Sequence, residues 1–135
     1  MALIEFKDKP NTTTPVNANN LNNNFNELVP KVVEGQEIAL NEYVGGKRVY
    51  RLYKNLGALP NNDGTSYNTG LSSNYTCIKY QLFAVKGKQI LSIPFINLLN
   101  TQYISSYLND ASQLPAKVNF NASEYNLYID VYYVK

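Results

Sequence analysis

The chain has 135 residues, 44% of them hydrophobic and 16% charged, with 12 Lys and Arg against 10 Asp and Glu for a net charge of +2. That is about one domain's worth of sequence, with no apolar run near the ~18 residues a membrane span needs and no basic stripe for nucleic acid or anionic lipid. No His, one Cys and one Met exclude imidazole bases, His or Cys zinc sites, Cys–His nucleophiles and an internal disulfide together. Twenty Asn and twelve Tyr without a single Trp make a composition of turns and amphipathic strands, so the expected fold is mainly β.

Residues 1–20 open with a short alternating stretch from Leu3 to Phe6. Pro10, three threonines, Pro15, Val16 and Asn17 follow, which predicts an extended arm with turns. This stretch has neither the basic nor the apolar region of a secretory signal, and the lone thiol suits synthesis in a reducing cytoplasm. From Asn20 the apolar positions Leu21, Phe25, Leu28 and Val32 fall at spacings of four, three and four, the stripe of a short coiled coil. The region 21–36 is therefore expected to be a helical stalk limited by Pro30 to about three turns, and a helix that short is marginal unless copies of itself or a partner cover its stripe. Packing of that stripe against the following domain of the same chain is the competing arrangement.

Residues 37–135 change to short period-two runs separated by turn signals, the pattern of an antiparallel sandwich or barrel of about eight strands. Ile38 to Val44 and Lys47 to Leu56 flank Gly45-Gly46, a two-residue hairpin signal. A dense turn, Leu59 to Thr65, precedes an extended run from Ser66 to Leu71. Cys77 to Val85 and Gln89 to Ile93 form a second hairpin around Lys86-Gly87-Lys88, expected at the centre of the sheet. Pro94 to Leu99 is apolar without a clear period, Tyr103 to Leu108 and Lys117 to Phe120 read as shorter strands, and Asn126 to Val134 closes the series. This last strand is apolar on both faces, so it is either central or covered by another subunit.

Catalysis would have to rest on the ten carboxylates, since triads and His-metal sites are impossible. No pair of them is brought into the spacing a glycosidase needs, and the run Asn61-Asn62-Asp63-Gly64 lacks the alternating ligands and closing Glu of a calcium loop. No enzyme activity, cofactor or metal is expected. Lys86 with Lys88, and Lys47 with Arg48 and Arg51, are small basic clusters able to meet phosphate-bearing polymers. Tyrosines beside Asn amides can stack on a sugar's apolar face while hydrogen-bonding its hydroxyls. Tyr67 and Tyr75 border loops and are the first candidates for glycan contact, with Asn61 and Asn62 beside them.

Two stretches carry a resemblance to tailed-bacteriophage appendage proteins. Thr14-Pro15-Val16-Asn17-Ala18-Asn19-Asn20-Leu21-Asn22 resembles the T-P-(I/L/V)-N-A-x-N-L-N element near the start of phage tail, baseplate and fibre proteins. Gly46-Lys47-Arg48-Val49-Tyr50-Arg51, Leu56-Gly57-Ala58-Leu59-Pro60-Asn61 and the ending Val131-Tyr132-Tyr133-Val134-Lys135 are similar to the frame of the C-terminal head domain of phage fibre and receptor-binding proteins. The chain departs from that family at Ser72-Ser73-Asn74-Tyr75, where an aromatic and Gly-rich segment is usual, and in lacking a Thr before the final Lys.

The resemblance implies a homotrimeric virion appendage. Its arm (1–20; Pro10, Pro15, Val16, Asn17) would dock on other virion proteins of capsid or baseplate. A stalk (21–36; Leu21, Phe25, Leu28, Val32) would trimerise, and a jelly-roll-like antiparallel β-sandwich knob (37–135) would bind host cell-wall polysaccharide or teichoic acid. The alternative is a purely structural head fibre or baseplate decoration that binds no specific glycan. In either case the expected location is the virion, with no nucleic-acid partner and no membrane insertion.

Overall fold

Gly45 and Gly46 both have positive φ, 58° and 76°, the backbone that a two-residue turn between right-twisted strands demands. They join β1 (Ile38–Val44) to β2 (Lys47–Ala58) in the expected register, Val44 opposite Lys47. This computed structural model describes residues 31–135, and Val32–Lys135 form one compact unit. The arm and all but the last residues of the expected stalk, with Pro10, Pro15, Val16, Asn17, Leu21, Phe25 and Leu28, lie outside the described residues. Residues 31–36 are extended chain with a turn at Glu34 and Gly35, and Val32 is exposed.

The remaining strands are β3 (Gly64–Asn68), β4 (Thr76–Lys86), β5 (Gln89–Ile93), β6 (Phe95–Asn97), β7 (Gln102–Ser106), β8 (Gln113–Val118) and β9 (Asn126–Val134). They form two antiparallel sheets, β1-β2-β9-β4-β5 and β3-β8-β7-β6, and no helix occurs among the described residues. The fold is mainly β, consistent with the expected sandwich. Alternate residues of the first sheet, Leu52, Leu82, Leu127, Ile129, Val131 and Tyr133, meet Ile104, Leu114, Ala116 and Val118 of the second in one buried core. Removing that apolar surface from water, at about 25 cal/mol per Å², is the principal term holding the sheets together.

Two expectations are corrected. The β4–β5 hairpin is not the centre of its sheet. β5 is an edge, and β9 is central, hydrogen-bonded to β2 on one side and β4 on the other. A nine-residue strand with apolar residues on both faces fits the position with a strand on either side, whereas β5 is five residues long and includes Gln89 and Ser92.

The strand expected at Lys117 to Phe120 starts earlier, at Gln113, and runs through Pro115. The Pro115 carbonyl accepts from the Tyr107 N–H and from the Ser106 hydroxyl, so the side of Pro115 that lacks an N–H faces β7 just past its last residue. Tyr107 and Pro115 therefore make one bond where two non-proline residues would exchange two, and β7 ends there.

Candidate functional site

Tyr50 of β2 and Tyr133 of β9 are register partners on the core side of the first sheet, and their rings stack with centroids 6.0 Å apart. Tyr75, immediately before β4, also stacks on Tyr133, at 5.5 Å and 7° between planes. The result is a cluster of three rings. Burial, and then a hydrogen bond donated by the Tyr133 hydroxyl to Glu37, push the Tyr133 phenol far above its ordinary value. The other Glu37 oxygen holds the Lys135 ammonium at 3.0 Å, which raises the lysine's pKa. That ammonium also sits 4.3 Å from the Tyr50 ring centre and 5.6 Å from that of Tyr75, a favourable cation–π placement.

Opposite the rings runs the loop from Asn68 to Ser72, held by its own side chains. Asn68 Oδ1 accepts from the Gly70 N–H at 2.7 Å, and Thr69 Oγ1 accepts from the Leu71 N–H at 3.2 Å. The buried Thr69 is tied across the domain by its hydroxyl to the Ala111 carbonyl and by its N–H to the Ser112 carbonyl. Lys54, from the core-facing side of β2, donates to the Thr69 carbonyl at 3.0 Å. Of these groups Glu37, Lys54, Thr69, Tyr75 and Lys135, with Gly35, Leu52 and residues 70–72, line a depression of about 300 Å³. A second, of about 560 Å³, lies between Thr76 to Tyr80 of β4 and the Leu108 to Ala111 loop, and Tyr75 borders both.

The four residues expected to meet glycan do not converge. Tyr75 is at the depression just described. Tyr67 packs against the core with its hydroxyl donating to the Ala58 carbonyl at 2.6 Å. Ala58 pairs with Asn126, seven positions from Tyr133 along β9 and hence roughly 20 Å away at ~3.3 Å per residue. Asn61 bridges to Asn121, and the Asn62 N–H bonds the Phe120 carbonyl at 2.8 Å, with Asn62 at a φ of 51°. Both serve the turn at the far end from Tyr75.

Sequence reasoning passed over Lys54, Glu37, Tyr50, Tyr133 and Lys135. The available signal was parity: in β2, Lys54 shares a face with Tyr50 and Leu52, so a lysine was due to point inward. Five further carboxylates are engaged in ordinary structural contacts. Glu34 accepts from the Asn55 N–H, Asp63 from that of Gly64, and Asp110 from Ser112 and Gln113, while Glu124 pairs with Lys86 and Asp130 with Arg51. Among the described residues no three Asp, Glu or Cys side chains gather as a metal site would require.

Two further surfaces stand out. On the outer face of the first sheet Tyr53, Phe83 and Tyr128 form a ring cluster with centroids 5.5 to 6.0 Å apart. The loop after β6 presents Leu98 and Leu99 at 88% and 98% exposure.

Fold and site together define an antiparallel two-sheet β protein whose core opens at one flank into a tyrosine-lined, lysine-bearing depression. Comparisons with protein-family models, curated proteins and solved structures find no match.

Proposed function

We propose that the chain is a structural appendage of a tailed-bacteriophage particle, a non-enzymatic homotrimer. Its arm, with Pro10, Pro15, Val16 and Asn17, grips capsid or baseplate. Its stalk assembles through Leu21, Phe25, Leu28 and Val32, and its jelly-roll-like knob binds host cell-wall polysaccharide or teichoic acid. The phage assignment rests on the sequence motifs. The glycan reading rests on one observation: Tyr75 borders two adjoining depressions, a layout suited to a chain-like ligand lying across a ring. The Tyr75 ring offers a face for the apolar side of a sugar, and Lys135, Ser72 and Lys54 offer donors to its hydroxyls. Three copies would add the avidity that weak single-site sugar contacts require.

Sedimentation of the full-length protein with host cell walls tests this reading. Wall binding that Tyr75→Ala abolishes supports it. No binding with intact walls, at concentrations where three sites act together, overturns it. Leu21→Asp with Phe25→Asp should reduce the mass in light scattering to that of a monomer, and an unchanged mass would refute the stalk. Leu98 and Leu99 favour the second reading, a head fibre or baseplate decoration without a glycan receptor, since an exposed apolar loop suits a protein contact on the particle.

A further inference from the structure

Resting on that reading of the domain as a glycan binder, we propose that the 300 Å³ depression is an anion subsite and that Lys54 selects polymers bearing negatively charged oxygens. The argument begins with the strand. Lys54 is the register partner of Ile129 and lies on the same face as Leu52; Ile129 and Leu52 belong to the buried core, and Lys54 is half-buried beside them. A cation placed there costs free energy unless it is paired. Yet among the described residues the ion pairs are Arg51–Asp130, Lys86–Glu124 and Lys135–Glu37, and Lys54 has no carboxylate within 4.0 Å.

Among the described residues its hydrogen-bond acceptor is a neutral carbonyl, that of Thr69, and an ammonium has three donors to give. The acid lining the same depression, Glu37, is already engaged by Tyr133 and Lys135. Among the described side chains that line the depression, two are lysines and one is a carboxylate, so Lys54 is the cation that Glu37 does not pair. The loop opposite is shaped to the lysine head: Gly70 has a φ of 85°, and a Cβ there would stand 3.2 Å from the Lys54 Nζ.

An oxyanion carried by a sugar or polyol chain fits this arrangement. It would accept from the Lys54 ammonium while the adjoining residue of the polymer lies against Tyr75. Both a phosphodiester of a polyol-phosphate chain and the carboxylate of a uronic acid supply that chemistry, and Lys54, as a compact point charge, accepts either.

Calorimetric titration of the full-length protein with three oligomers of equal length separates the outcomes: a glycerol-phosphate oligomer, an oligogalacturonate and a neutral glucan. Lys54→Gln keeps a donor for the Thr69 carbonyl and removes the charge, so it separates a strut from an anion contact. Binding of either anionic oligomer that Lys54→Gln weakens about tenfold or more, and that rising salt weakens in the wild type, supports the proposal. The oligomer that binds identifies the source of the charge. Should Lys54→Gln fail to fold, the salt dependence of the wild type and its preference over the neutral glucan decide. Equal binding of all three oligomers, or an unaltered Lys54→Gln, overturns the anion subsite while glycan binding stands. Failure to bind all three by a protein that still sediments with walls overturns it too, and loss of wall binding removes the reading beneath it.

Discussion

Arg51 of β2 and Asp130 of β9 lie diagonally across the central strand pair and meet through two parallel bonds, Nε to Oδ1 at 2.9 Å and Nη2 to Oδ2 at 2.8 Å. The side chains are 26% and 17% exposed, so the fork is better shielded than a surface pair. The first prediction follows from that shielding: Asp130→Asn should lower stability by about 1–2 kcal/mol, more than a fully exposed pair is worth. Urea denaturation measures it, and a double-mutant cycle with Arg51→Met should return a coupling of about 1 kcal/mol. A coupling near zero would mean that the strands hold the pair rather than the pair the strands.

Tyr133 sets the alkaline limit. Its phenol titrates higher in the folded chain than its ordinary value near 10, so the folded state prefers the neutral form. Below pH ~10 both states keep the proton and the contribution is complete. Above it the unfolded chain releases the proton first, and stability falls as pH rises. Lys135, also raised, acts in the same direction. Tyr133→Phe should lower stability at neutral pH by about 1–2 kcal/mol through loss of the bond to Glu37 and flatten the decline above pH ~10. Chemical unfolding at a series of pH values reads both effects, and an unaltered alkaline slope would refute the assignment.

Gly70 has a backbone that other residues adopt only under strain, and its neighbour there is the Lys54 ammonium. Gly70→Ala is expected to cost about 1–2 kcal/mol, read as a lower Tm. Alanine at Gly64, where φ is ordinary and the nearest atom is 3.4 Å away, should cost less, and the reverse order would contradict the loop geometry.

Leu98 and Leu99 contribute little to the fold. Asn97 and Asn119 shape their loop through bonds to the Leu99 and Tyr103 N–H groups and to the Thr101 carbonyl, none of which involves a leucine side chain. Leu98→Ser with Leu99→Ser should therefore change stability by less than about 0.5 kcal/mol while reducing association at high concentration, measured by light scattering. A large loss of stability would show that these leucines are covered by something within the protein.

Much of the fold was legible because its signals are local. Gly45-Gly46 and Lys86-Gly87-Lys88 announced two hairpins, and period-two alternation delimited β2, β4 and β9 within a few residues. What escaped was long-range. The two apolar faces of β9 allowed a central place or cover by another subunit, but nothing near Asn126 states that its neighbours are β2 and β4, because that order is decided by which apolar faces are left to cover. Pro115 hid the start of β8 because its tolerance depends on where β7 ends. The site was legible only at Tyr75, the one of four expected contacts at the depression. Lys54 was visible as an inward lysine by parity, but that no described carboxylate pairs with it is a fact of three dimensions.

The position of β9 has a consequence for how the protein is made. β2 and β4 are separated in their sheet by a strand that leaves the ribosome after all the others. Until residues 126–134 emerge, the growing chain can form its hairpins but cannot join them. Both halves then expose open edges, which invites mispairing with neighbouring nascent chains. Closure must span contacts such as Val49 with Val134, so folding should be slow and should wait on the emergence of β9.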